Sequence, residues 1–209
     1  WSRIPKMLEL RELLQSALDT HPELPPNERG NLLGECDLIL SFLSYNDISA
    51  MSRLHRSASS KMTRPAITIR RSGGWTFGSP SVLMMFYRAP GELESELAEM
   101  DECMPHYYKI TGSHGQGAET IMHAEAAFMQ GRFTDAHIAL ERAYAQIEGN
   151  GQENMALCCD FLARRLSLFT DIGQRARFEK RREQLLAHHN VSWLNLWNAA
   201  AAYHHALLG

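Results

Sequence analysis

The sequence predicts an all-α chain of antiparallel helical hairpins, each packed on the next. Three observations predict it. Apolar residues recur at three- and four-residue spacing through most segments between Lys6 and Leu208. The breaks between those segments are short and carry glycine, proline, asparagine or aspartate. In the clearest pair, alanines stand where two helices face each other, which lets the backbones approach closely. A chain of 209 residues has room for one continuous stack, read as a single domain over residues 1–209.

Taken in order, Lys6 to Asp19 places Leu10, Leu13, Leu14, Ala17 and Leu18 on one stripe, and His21-Pro22 with Pro25-Pro26 predicts a helix end and a rigid connector. Asn31 to Tyr45 repeats the pattern with Leu33, Cys36, Leu40 and Leu43 inward. After the break at Asn46-Asp47, Ile48, Met51, Leu54, His55 and Ala58 continue it. So short a link makes the two helices neighbours in a hairpin.

Residues 63–79 interrupt the rhythm and read as an irregular loop insertion. Ile67 and Ile69 alternate with Thr68 and Arg70 as in extended chain, and Ser72-Gly73-Gly74-Trp75-Thr76-Phe77-Gly78 is glycine-rich with two aromatics. Ser79-Pro80 reads as an N-cap with proline at the first helical position, opening a helix through Val82, Leu83, Met85 and Phe86 that ends near Pro90-Gly91. From Glu92 to Lys109, Leu93, Leu97, Met100, Met104, Tyr107 and Tyr108 share a face, and Pro105 predicts a kink or a division into two shorter helices.

The clearest hairpin follows, with Ile121, Ala124, Ala127 and Phe128 inward on its first helix and Ala136, Ala139, Leu140 and Ala143 on its second. Gly131-Arg132-Phe133 forms the turn, and Gly149-Asn150-Gly151 stops the second helix. Asn154 to Thr170, with Met155, Cys158, Leu162 and Phe169 inward, and Ala176 to His188 predict another pair. A last helix around Leu194, Trp197, Ala201 and Leu208 caps the stack.

Composition narrows the function. The formal net charge of -3 is close to neutral, so nothing here resembles the concentrated positive field that binds nucleic acid. Arg175, Arg177, Lys180, Arg181 and Arg182 are interrupted by Glu179 and Glu183 and read as a solvated helix face. Cys36, Cys103, Cys158 and Cys159 lie in apolar helical patterns without a CxxC pair, which fits buried thiols in a reducing cytoplasm. No signal peptide and no long apolar run point to secretion or a membrane. The histidine pairs at 188–189 and 204–205 lack the spacing that puts two metal ligands on one helical face, so no metal site is expected. Cys103 and His106 stand three residues apart, yet a cysteine in a Met-rich apolar run reads as a packing residue; no catalytic residue is assigned.

Residues 117–149 resemble one tetratricopeptide (TPR) unit: Ala124 in the first helix, the Gly131-Arg132-Phe133 turn, and Ala136, Leu140 and Ala143 in the second. From about Leu32 to His188 the chain, with phrases such as LLGECDLILSFLSYNDISAMSRLHRSA and HAEAAFMQGRFTDAHIALERAY, is similar to the helical region of large LuxR-type transcriptional regulators of the MalT kind. The resemblance implies TPR-like hairpins in a right-handed superhelix and an effector-sensing, regulatory part of a DNA-binding regulator. The chain opens at Trp1, which suggests a piece of something longer. ATP is expected only in an absent module, since no GxxxxGK[ST] loop is present, and DNA only through an absent C-terminal helix-turn-helix. The alternative is a TPR scaffold that binds a protein partner, with no small effector. Self-association is left open.

A small effector, a peptide or a protein is expected in the concave groove. Two clusters are candidates for contacting it. Trp75, Thr76, Phe77 and Ser79 form a loop able to close over a planar ligand by stacking, or alternatively one whose aromatics fold back onto the core. His106, Tyr107 and Tyr108, with His114, Gln116 and Glu119 after them, either line the same groove or form a structured loop between repeats.

Overall fold

A computed structural model of the chain describes residues 4–44, 47–70, 81–86, 89–170, 175–187 and 191–208. Among them every regular element is helical. The helices are α1 (Ile4–Thr20), α2 (Pro26–Ser41), α3 (Ile48–Lys61), α4 (Leu83–Phe86), α5 (Leu93–Thr111), α6 (Ala118–Met129), α7 (Phe133–Ile147), α8 (Glu153–Leu166), α9 (Arg175–Ala187) and α10 (Val191–Leu208), with a 3-10 turn at Phe42–Ser44. The chain divides into two compact units, residues 1–70 with 98–113 and residues 71–97 with 114–209. Among the described residues no helix is long and apolar enough to cross a membrane.

In the first unit α2 and α3 form the expected hairpin, but α2 begins five residues earlier than its apolar stripe indicates. Pro25-Pro26 does not extend the connector: Pro26 occupies the first turn of α2, where its missing N–H costs nothing. Nor is the buried face the leucine face. Asn31, Glu35, Asp37, Leu38 and Ser41 are buried, while Leu33, Cys36 and Leu40 are half-buried.

Polar partners make that inversion tolerable. Asn31 accepts from the Thr63 N–H at 2.8 Å, Glu35 from Arg64 at 2.7 Å, and Asp37 from Ser57 at 2.8 Å. Gly30 allows the close approach of α2 to the end of α3, since a Cβ there would lie 2.6 Å from the Lys61 carbonyl oxygen. Asp47 caps α3 by accepting from the Ala50 N–H at 2.9 Å.

The stripe expected on α1 turns inward only at its end. Leu18 is buried, whereas Leu10 and Leu13 are 53% and 56% exposed. Helix α5 runs unbroken through Pro105, because the proline lies on the exposed side, where water can replace the missing intrahelical bond. Its residues Met100, Cys103, Met104, Tyr107 and Ile110 are fully buried. The region around Ile67 and Ile69 forms bends, not extended pairing, and Ile67 is exposed.

The second unit is organised by the α6/α7 hairpin. Ala124, Ala136, Leu140 and Ala143 are completely buried, and Gly131 in the turn has φ +74°, a conformation glycine adopts without cost. Phe133 stacks on Phe169 at 5.1 Å beside Phe128, although Phe169 itself is largely exposed and not turned inward. Helix α8 packs against both α6 and α7, α9 against α8, and α10 against α8 and α9. Leu157, Leu185 and Trp197 join the last three helices in a small apolar cluster.

Candidate ligand cleft in the second unit

The end of α7, the turn that follows it and the start of α8 leave a cleft of about 450 Å3 beside α9. Tyr144, Ile147 and Ala156 form its apolar wall, and Glu148, Gln152 and Lys180 are among its polar residues. Gly149 and Gly151, with φ +78° and +66°, turn the chain at its mouth. The volume falls within the range of small-molecule sites.

Charged groups hold the cleft in shape. Asp160, on the buried side of α8, accepts from the Tyr144 hydroxyl at 2.7 Å and from Arg181 Nε at 2.8 Å. One carboxylate therefore ties α7, α8 and α9 together. Burial pushes its carboxyl above the ordinary range, against the opposing pull of Arg181 and Tyr144. Burial, and then Asp160, likewise raise the Tyr144 hydroxyl, which stays protonated and able to donate. Arg177 pairs with Glu141 at 3.0 Å and lies 4.0 Å over the Tyr144 ring, while Arg182 sits 5.6 Å over Trp197.

The basic run of α9 is thus not a solvated face throughout. Arg177, Arg181 and Arg182 reach back onto neighbouring helices, because a guanidinium can pair, stack and bury its stem at once. Lys180 is exposed and makes no ion pair among the described residues.

The residues expected from sequence to contact a ligand are dispersed. Trp75, Thr76, Phe77 and Ser79 lie outside the described residues. His106, Tyr107 and Tyr108 belong to the first unit, and His114, Gln116 and Glu119 to the second. Tyr107 is 1% exposed, a core residue with its ring 4.9 Å from that of His55, and burial pushes its hydroxyl up. His106, Tyr108 and Glu119 are half-buried and His114 is buried. Gln116 does not line the cleft but bonds the turn that does, its N–H donating to Gln152 Oε1 at 3.1 Å and its side-chain oxygen accepting from Asn150 at 3.4 Å.

Two clusters outside the cleft combine nucleophiles with possible bases. In the first unit His55 lies 3.0 Å from Cys103 Sγ and 2.8 Å from Ser41 Oγ. The Ser41 proton goes to the Leu38 carbonyl at 2.6 Å, so His55 Nε2 donates to Ser41 and Nδ1 accepts from the Cys103 thiol. Burial drives the thiol up to about 12 and, with a smaller contribution from His106, the imidazole down to about 3. That is the reverse of a thiolate–imidazolium pair, and all three side chains are sealed from solvent. The cysteine's partner is His55, and not the sequence neighbour His106. The second cluster is Ser57, Lys61 and Asp37. Lys61 lies 2.5 Å from Asp37 and donates to Ser57 at 2.9 Å, a counter-ion clamping α2 on α3.

Glu125 on α6 is a buried acid that the sequence pattern conceals. Its carboxylate accepts from the Leu83 N–H at 2.8 Å and also bonds Ser81 and the Val82 backbone, so it caps α4 from another helix. Burial pushes its carboxyl up, and those hydrogen bonds oppose the shift. Among the described residues no group of three or more histidine, cysteine or acidic side chains is placed to hold a metal ion.

No family model, no curated protein and no solved structure matches this chain.

Proposed function

We propose that the chain is an effector-sensing, regulatory domain of TPR-like helical repeats, in which the cleft beside α9 receives a small ligand. The observation that carries the reading is the placement of α8. It packs on both helices of the preceding hairpin while α9 packs on α8, the consecutive layering that stacked repeats need. The cleft opens at the step between these layers, where a bound ligand touches α7, the α7–α8 turn and α9 together. A ligand there favours the docked position of α9 by its affinity difference between docked and undocked forms. The likeness of residues 32–188 to the sensor region of LuxR-type regulators, read from the sequence, agrees with such a role.

A thermal-shift screen of sugars, amino acids and nucleotides on the whole chain tests the reading, since a ligand that binds only the folded form raises its melting temperature. A shift in wild type that is lost on Lys180→Glu supports it; silence across the panel refutes it. One observation favours a second reading, a scaffold for a protein partner. Leu10 and Leu13 of α1 are exposed, and Leu10 lines an apolar groove with Leu14, Ile39 and Leu40.

A further inference from the structure

The pattern of committed and uncommitted charge around the cleft says which ligand chemistry fits it. Two of its cations are already balanced: Arg177 by Glu141 at 3.0 Å and Arg181 by Asp160 at 2.8 Å. Two opposite charges remain. Lys180 on α9 and Glu148 at the end of α7 both line the cleft, both are exposed, and neither makes an ion pair among the described residues. They do not pair with each other either, so among the described residues the cleft presents one ammonium and one carboxylate without a counter-ion, from different elements.

We infer that the cleft takes a small zwitterion, a ligand with one carboxylate and one ammonium group on a short body, such as a free amino acid or a dipeptide. The inference rests on the effector reading above and names the class of effector.

Charge complementarity decides among the candidate classes. A simple anion satisfies Lys180 but faces Glu148, and a phosphate dianion faces it more strongly. A simple amine meets the converse conflict with Lys180. A neutral sugar can hydrogen-bond both groups through its hydroxyls but brings neither an opposite charge. A zwitterion pairs its carboxylate with Lys180 and its ammonium with Glu148, while Tyr144, Ile147 and Ala156 offer apolar contact to the body between them. The Arg177–Glu141 and Arg181–Asp160 pairs stay intact in this arrangement, so binding breaks no ion pair already present.

Isothermal titration of the whole chain tests this with free amino acids and glycylglycine-type dipeptides as probes. N-acetyl amino acids, which lack the ammonium, amino acid amides, which lack the carboxylate, and inorganic phosphate serve as comparisons. At least one zwitterion should bind, and its N-acetyl and amide forms should each bind about tenfold more weakly, the loss expected for one charge-assisted contact. Lys180→Gln should abolish the preference over the amide, and Glu148→Gln the preference over the N-acetyl form. Both side chains are exposed, and an unchanged melting temperature confirms folding of each variant. Phosphate or the N-acetyl form binding as tightly as the zwitterion overturns the inference and leaves the effector reading standing. Absence of binding by every zwitterion also overturns it, and the effector reading falls with it only if sugars and nucleotides are silent as well.

Discussion

The buried trio of His55, Ser41 and Cys103 makes the stability of the first unit depend on pH in a defined direction. The perturbation is acidification. His55 is neutral in the fold because burial lowers its pKa from 6.5 to about 3, with charge repulsion from His106 a smaller cause. Cys103 and Tyr107, in contact with the ring, are pushed upward by burial and stay protonated across the acid range. A depressed histidine pKa means that the unfolded chain binds the proton first. The contribution of neutral His55 is therefore complete above about pH 6.5, declines as the pH falls below that value, and is fully lost near pH 3.

At about 1.4 kcal/mol per pH unit, the loss is about 2 kcal/mol at about pH 5 and approaches a ceiling of about 5 kcal/mol. Protonation also removes the lone pair that accepts the Cys103 thiol. The assay is urea unfolding at about pH 7.5 and about pH 5 in wild type and in His55→Phe. The variant keeps the ring volume and cannot titrate, while the other histidines remain as an internal control. His55→Phe should start less stable by about 1–3 kcal/mol, since Ser41 and Cys103 lose a buried partner. It should then lose about 2 kcal/mol less than wild type between the two pH values. Equal losses in the two proteins would refute the reasoning.

Other substitutions test other contacts. Gly30→Ala places a methyl group 2.6 Å from the Lys61 carbonyl oxygen and should cost about 1–3 kcal/mol, read as a lower urea midpoint for the first unit. Glu125→Ala strips the cap from α4 and leaves buried N–H donors behind. It should destabilise the second unit by about 1–3 kcal/mol and speed proteolysis near residues 81–86.

The α6/α7 hairpin was legible because its signal is local: small residues at fixed offsets, a glycine turn and two apolar stripes, all within one stretch of chain. The same reading failed on α2, where periodicity selected the leucine face. Asn31, Glu35, Asp37 and Ser41 are buried instead, each with a partner from α3 or the chain after it. A polar residue satisfied by a residue 14 to 32 positions away looks solvent-facing in sequence, since burial of such a group depends on a partner that spacing does not reveal.

The cleft was hidden for the same reason. Asp160 stands within the apolar run from Met155 to Leu162, and that isolation was its only visible sign. The cations of α9 looked like a solvated run, yet Arg177 and Arg181 find Glu141 and Asp160 on helices 36 and 21 residues earlier. On α1 the stripe was real but largely lacked a covering partner, so amphipathic spacing alone did not report burial of Leu10 and Leu13. Pro105 illustrates a further gap: a proline on the wet side of a long helix need not end it.

The docking of α9 on α8, which shapes the cleft, hangs most directly on the Asp160–Arg181 pair. A double-mutant cycle with Asp160→Asn, Arg181→Gln and both together, read by urea unfolding at neutral pH, measures that link. A coupling of about 2 kcal/mol or more is expected, since removing one partner strands the other in a buried position. Additivity within about 0.5 kcal/mol would mean that the two side chains do not hold the helices together, and would contradict the cleft as described.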